Sequence, residues 1–171
     1  MNALIRSSIA GQYGAALRML ESCLTRADDG AWLAPVGKYP FWQVAYHTLF
    51  VTDMYLCSGE SAIRPQPFHR KDYNLLGATP WAPNPAPADQ PYDKETLVGY
   101  VGTCRTKSKR SIETESDEVL AGPSGFSWLP FTRLELHLYN VRHLQHHTGQ
   151  LSAALRRHGG EVVRWCGTEA L

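Results

Sequence analysis

Long apolar runs are missing from this 171-residue chain. None approaches the roughly 20 residues that span a bilayer, so no membrane partner is expected. Residues 1–12 carry polar side chains every few positions and lack the apolar segment of a signal peptide, which makes the cytoplasm the expected compartment. Charge of one sign is also scarce in excess, since 17 basic and 16 acidic residues leave a formal +1. So small an imbalance gives no broad footprint for nucleic acid or for an anionic surface, and no nucleic-acid partner is expected. The basic stretch 105–110 falls inside a helical pattern and reads as a solvated face. Cysteine is sparse: Cys23, Cys57, Cys104 and Cys166 are widely scattered and form no C-x-x-C pair. That excludes a disulfide framework or a zinc ribbon and suits small buried residues in a reducing compartment. Repeats, low-complexity tracts and strand-like alternation are absent as well.

What is present is helical periodicity. At 43% hydrophobic and 19% charged, the composition is that of an ordinary globular protein, and the length suits one domain over 1–171 with a full core. A first helix is expected over 2–26, where Ile5, Ile9, Tyr13, Leu17, Leu20 and Leu24 form one stripe and Asp28, Asp29 and Gly30 end it. A second starts near Pro40, a residue suited to a first helical turn, and runs to Leu56. It is apolar around most of its circumference, which predicts a central position. A third begins at Asp93, a good N-cap with Glu95 in the first turn, and extends to about Glu115. Its expected core contacts are Leu97, Tyr100, Val101, Cys104 and Ile112. The fourth opens at Thr132 with Glu135 three residues on, a capping-box pattern, and ends at Arg157 before Gly159 and Gly160. The fold class expected is all-α, a four-helix bundle. Between the second and third helices, residues 58–91 hold seven prolines, which rule out a long regular helix. Phe68, Tyr73, Leu75, Leu76 and Trp81 are too apolar for a loose linker, so the segment reads as a packed, proline-rich crossover.

Four of the seven histidines lie on the fourth helix: His137, His143, His146 and His147. Residues four apart on a helix lie only about 40° apart around its axis, so His143 and His147 project from one face. Leu136, Asn140, Leu151 and Ala154 share that stripe and suggest that it points inward. Two buried imidazoles need partners for their ring nitrogens, and a divalent cation would satisfy them. A third ligand must then come from elsewhere. His47, midway along the second helix between Val44 and Val51, is the natural candidate. His69 lies in the proline-rich segment, His158 at a helix end, His137 well away from the stripe, and His146 on its flank. There is no H-E-x-x-H motif. On these residues alone, satisfied core histidines and a metal site remain equally open.

The run from His143 through His147, Gly149 and Gln150 has the form H-x-x-x-H-x-G-Q. Together with the Trp42-x-x-x-x-His47 context, it resembles the DinB-like superfamily of metal-binding four-helix proteins, across the whole chain in helix order and length. The resemblance implies that His47, His143 and His147 hold one divalent metal ion, such as zinc, nickel or iron. It implies that Gly149 permits close helix approach, that Gln150 makes a polar contact near the site, and that the protein is a homodimer. The superfamily includes transferases using bacillithiol and isomerases using mycothiol, beside many members of unknown activity.

Three neutral ligands leave a divalent ion with its full charge and an open position, the layout of a catalytic rather than a structural site. The expected chemistry is activation of a low-molecular-weight thiol against a small electrophile, a thiol S-transferase reaction. A metal-dependent hydrolase and a non-catalytic, stress-related metal-binding protein are the alternatives. No carboxylate is placed beside the site by spacing, since Asp53 lies about 120° around the helix from His47. Trp81 and Tyr73 serve either as a substrate lid or as plain core cover, and packing is the reading preferred.

Overall fold

The structure, a computed structural model, describes residues 3–79 and 82–171. In chain order its elements are helix α1 (Ala3–Arg26), the short helix α2 (Asp29–Leu33), strands β1 (Pro35–Val36) and β2 (Tyr39–Pro40), and helix α3 (Phe41–Tyr55). A single 3-10 turn (Glu60–Ala62) follows, then α4 (Lys94–Thr114), α5 (Asp117–Ala121) and α6 (Arg133–Arg157). The described chain is mostly helical, and no helix in it is long and apolar enough to cross a membrane.

Caps set the helix starts where the sequence places them. The Thr96 amide donates to Asp93 at 2.6 Å, and the Glu135 amide donates to Thr132 at 3.1 Å, each satisfying an amide that the first turn leaves without a partner. At the other end of α6, Gly159 takes a φ of +75° and the Gly160 amide reaches back to the Leu155 carbonyl, a turn that favours glycine. Two details differ from expectation. Asp28 does more than end the first helix: it caps α2, accepting from the Ala31 amide at 2.7 Å. Pro40 stands just before α3 and pairs with Pro35 in a two-stranded antiparallel ribbon. Two residues per strand are too few for alternation to register in a sequence.

Helix α1 packs on α4 and α6, and α3 packs on the same two helices. Ile9, Tyr13, Leu17, Leu20 and Leu24 of α1 are buried, whereas Ile5, near the start of the helix, is exposed. The five residues expected to face inward from α4 are all buried. So are Leu136, Asn140, Leu151 and Ala154 of α6.

The described part of residues 58–91 packs on the helices. Phe68, Tyr73 and Leu76 lie against the core, while Trp81 lies outside the described residues. Tyr92 anchors the segment: its hydroxyl donates to the Phe68 carbonyl at 2.9 Å and accepts from the Arg70 amide at 3.0 Å. Its ring meets those of Trp42, Tyr46, Phe68 and Tyr73.

The basic stretch on α4 is not simply solvated. Arg105 reaches Glu21 and Glu169 at 3.4 Å each, and Lys107 turns inward to Asp53. Cys23, Cys57 and Cys104 are buried, but Cys166 is half-exposed in the C-terminal tail. That tail lies along α1, where the Glu169 amide donates to the Gly11 carbonyl, while Trp165 stands 76% exposed.

Candidate metal centre

His47 owes its position to the unusual apolarity of α3. Phe41, Trp42, Val44, Ala45, Tyr46 and Leu49 are all buried, which fixes the helix rotation and leaves His47 facing α6 and the proline-rich segment. Its Nδ1 lies 2.6 Å from the carbonyl oxygen of Asn74. A carbonyl only accepts, so the ring proton sits on Nδ1 and the Nε2 lone pair is free. One turn earlier, the fully buried Gln43 donates to the Leu75 carbonyl at 3.3 Å and accepts from the Ala88 amide at 2.8 Å. Two side chains of α3 thus grip consecutive carbonyls of the segment. A tight turn at Asp72 (φ 65°), closed by the Leu75 amide on the Asp72 carbonyl, presents them. Asp tolerates this left-handed conformation better than most residues.

His143 and His147 arrive from α6, one turn apart. His147 Nδ1 donates to Gln150 Oε1 at 2.8 Å, while the Gln150 amide nitrogen lies 3.3 Å from His146 Nε2. His147, like His47, therefore has its proton committed at Nδ1 by an oxygen acceptor. His143 differs: its Nδ1 is buried without a partner, and its Nε2 faces His47 Nε2 at 3.2 Å. Ring centroids of the three are 4.6 to 5.1 Å apart. One nitrogen from each ring forms a group whose members all lie within 4.8 Å of one another.

The electrostatics keep these rings neutral. Burial pushes the pKa of His47 down to about 4, against the smaller upward pull of the Asn74 carbonyl. Burial and the neighbouring His47 and His147 take His143 down to about 3. Burial also lowers His147, with the Gln150 contact opposing it. At neutral pH all three rings offer lone pairs, the form in which imidazole binds metal. Two nitrogens on one tetrahedral zinc at ~2.0–2.1 Å lie about 3.3 Å apart, close to the 3.2 Å between His47 and His143. The donor set fits a divalent ion, and three such histidines can hold one.

His69, His137 and His158 serve elsewhere, whereas the His146 ring flanks His147. His137 is buried between Tyr13 (3.2 Å) and Glu115 (3.0 Å). His69 stacks on Phe50 and contacts the Tyr46 hydroxyl. His158 caps the end of α6. Asp53 is buried as well, engaged by Tyr100, Gln66 and Lys107, so it is not a surface residue. Gly149 does not mediate close helix approach, because a Cβ built there meets nothing within 4 Å. The Asn74 carbonyl and Gln43 escaped sequence reasoning: a backbone acceptor in a proline-rich segment has no side-chain signature. The same segment lines a cleft of about 420 Å³ with Lys71, Tyr73, Leu75, Pro85 and Ala88.

A family model described as the DinB superfamily matches residues 12–151, a span that contains all three histidines. No curated protein and no solved structure matches the chain.

Proposed function

The chain belongs to the DinB superfamily, and on that premise we propose that His47, His143 and His147 hold one divalent metal ion at which a low-molecular-weight thiol is activated against a small electrophile. The observation that carries the reading is the convergence of three neutral imidazoles within 4.8 Å, two of them fixed by acceptors at Nδ1. When bound by three neutral nitrogens, a divalent ion supplies Lewis-acid activation of a thiol or water at its open position.

The chain's own residues do the rest. The Asn74 carbonyl and Gln150 hold two rings in orientation and tautomer, a role that partners of metal ligands commonly fill. The cleft lined by Tyr73 and Leu75 neighbours Asn74 in sequence and offers an apolar wall for an electrophile. We also read α1, α3, α4 and α6 as the superfamily's four-helix bundle, with residues 58–91 as its crossover. Zinc, nickel and iron are the candidate ions, since all suit imidazole. The expected assembly is a homodimer, which sedimentation of the purified chain tests.

The thiol-transfer reading is tested by screening metal-loaded protein with a panel of small thiols and electrophiles, following thioether formation by mass spectrometry. Turnover that disappears in His143→Ala is the expected result. Metal-loaded protein that turns over no pair, yet hydrolyses esters or amides, would instead favour activated water.

A further inference from the structure

Away from the histidines, a second reactive cluster joins the end of α3 to the middle of α4. Lys107 Nζ lies 3.1 Å from Cys57 Sγ and 2.9 Å from the Asp53 carbonyl, and it also pairs with the Asp53 carboxylate. The three N–H bonds of the ammonium are therefore directed at three acceptors, one of them a cysteine sulfur. The Asp53 carboxylate is itself held by Tyr100 at 2.8 Å and Gln66 at 3.0 Å, so the triad is fixed from several elements. Reacting atoms held about 3–3.5 Å apart are at the distance from which bonds form without further search.

A small space borders this buried sulfur. A cavity of about 10 Å³, bordered by Phe50, Asp53, Met54, Cys57 and Ile63, is close to the volume that holds one water-sized molecule. The Lys107 side chain is 31% exposed and opens onto a shallow cleft of about 570 Å³ with Thr103, Thr106 and Arg110. The other thiols lack this arrangement. Cys23 and Cys104 are enclosed, and burial pushes the first up to about 12 and the second well above its ordinary value. Cys166 is half-exposed, and its sulfur lies against oxygens of Thr168 and Glu169.

We infer that Cys57 and Lys107 form an oxidation-driven covalent link between the segment just after α3 and helix α4, with a hydroperoxide as the oxidant. In the first step the thiol attacks one peroxide oxygen: the O–O bond breaks, sulfur is oxidised to sulfenic acid, and the other oxygen leaves with the thiol proton as the alcohol, or as water when the oxidant is hydrogen peroxide. In the second, the Lys107 ammonium passes one proton to the Asp53 carboxylate and its nitrogen attacks the sulfenic sulfur. The S–O bond breaks, an S–N bond forms, and the departing hydroxyl takes a second nitrogen proton and leaves as water. Sulfenic acid condenses with a backbone nitrogen to a sulfenamide by the same exchange. Attack of a small thiol on the bonded sulfur regenerates the amine, so the link is reversible. None of this depends on the metal centre.

The test is peptide mapping of the full chain after titration with hydrogen peroxide, without reductant. The expected product is a joined peptide pair carrying Cys57 and Lys107, lighter by two hydrogens and released by dithiothreitol. Lys107→Arg, which keeps the ion pair to Asp53, should abolish the link and leave Cys57 sulfenic acid trappable by a 1,3-diketone. Cys57 surviving as a free thiol at a dose that oxidises Cys166 would overturn the inference. So would oxidised Cys57 with Lys107 unlinked, and a joined pair that retained oxygen would overturn the S–N bond. If Lys107→Arg fails to fold, the wild-type map alone decides.

Discussion

His47 and His147 each spend their ring proton on an oxygen, whereas His143 has none to give it to. That asymmetry makes Gln150 an informative neighbour, since its side-chain oxygen accepts the His147 ring proton. Gln150→Leu keeps the volume and removes the acceptor. Its divalent-metal affinity, measured by competition with a chromogenic chelator, is expected to fall about tenfold, as for other partners of metal ligands; unchanged affinity would show that Gln150 does not position the ring. A second residue-level prediction concerns Glu115. Burial opposes its ionisation, but His137, Arg133 and Ser111 outweigh burial and hold the carboxyl at about 2. The unfolded chain therefore takes up this proton near 4.5 while the folded chain does not until about 2, so stability from this group is full above the upper value and is lost as pH falls through the window. Glu115→Gln should flatten that acid limb in denaturant titrations. It should also cost about 3 kcal/mol at neutral pH, because Arg133 is left buried without its partner.

Helix α6 was legible because its signals are periodic. A four-residue spacing puts His143 and His147 on one stripe, and the buried Leu136, Asn140, Leu151 and Ala154 show that the stripe faces the core. The caps at Asp93 and Thr132 were equally plain, since each is a short-range contact between a side chain and an amide three residues on. What stayed hidden depends on chain segments meeting from afar. The Asn74 carbonyl is 27 residues from His47, and Glu115 meets Arg133 and His137 across 18 and 22 residues. Whether the tail around Trp165 packs on the bundle or on a neighbour stayed open for the same reason, although its docking on α1 left a trace in Gly11 and Gly14. A Cβ at Gly14 would overlap the Glu169 carbonyl, so Gly14→Val is expected to lift the tail and break the Arg105–Glu169 pair. Limited proteolysis should then remove residues 161–171 faster than in wild type, with the helices left intact. Equal rates would mean that the tail does not depend on this groove.

The chain as a whole pairs two helices, α3 and α6, that hold the candidate site with two, α1 and α4, that complete the core without contributing a ligand candidate. Near-zero net charge fits a protein whose function is carried by a small site and not by a charged surface. Whether the three histidines hold an ion is decided by metal analysis of untagged protein by mass spectrometry, with wild type compared against the His143→Ala/His147→Ala variant. Near-stoichiometric zinc, nickel or iron is expected in wild type and little in the variant, with both folded by circular dichroism. A wild type that purifies without metal and takes up none when supplied would contradict the metal-site reading and leave the three histidines as packed core residues.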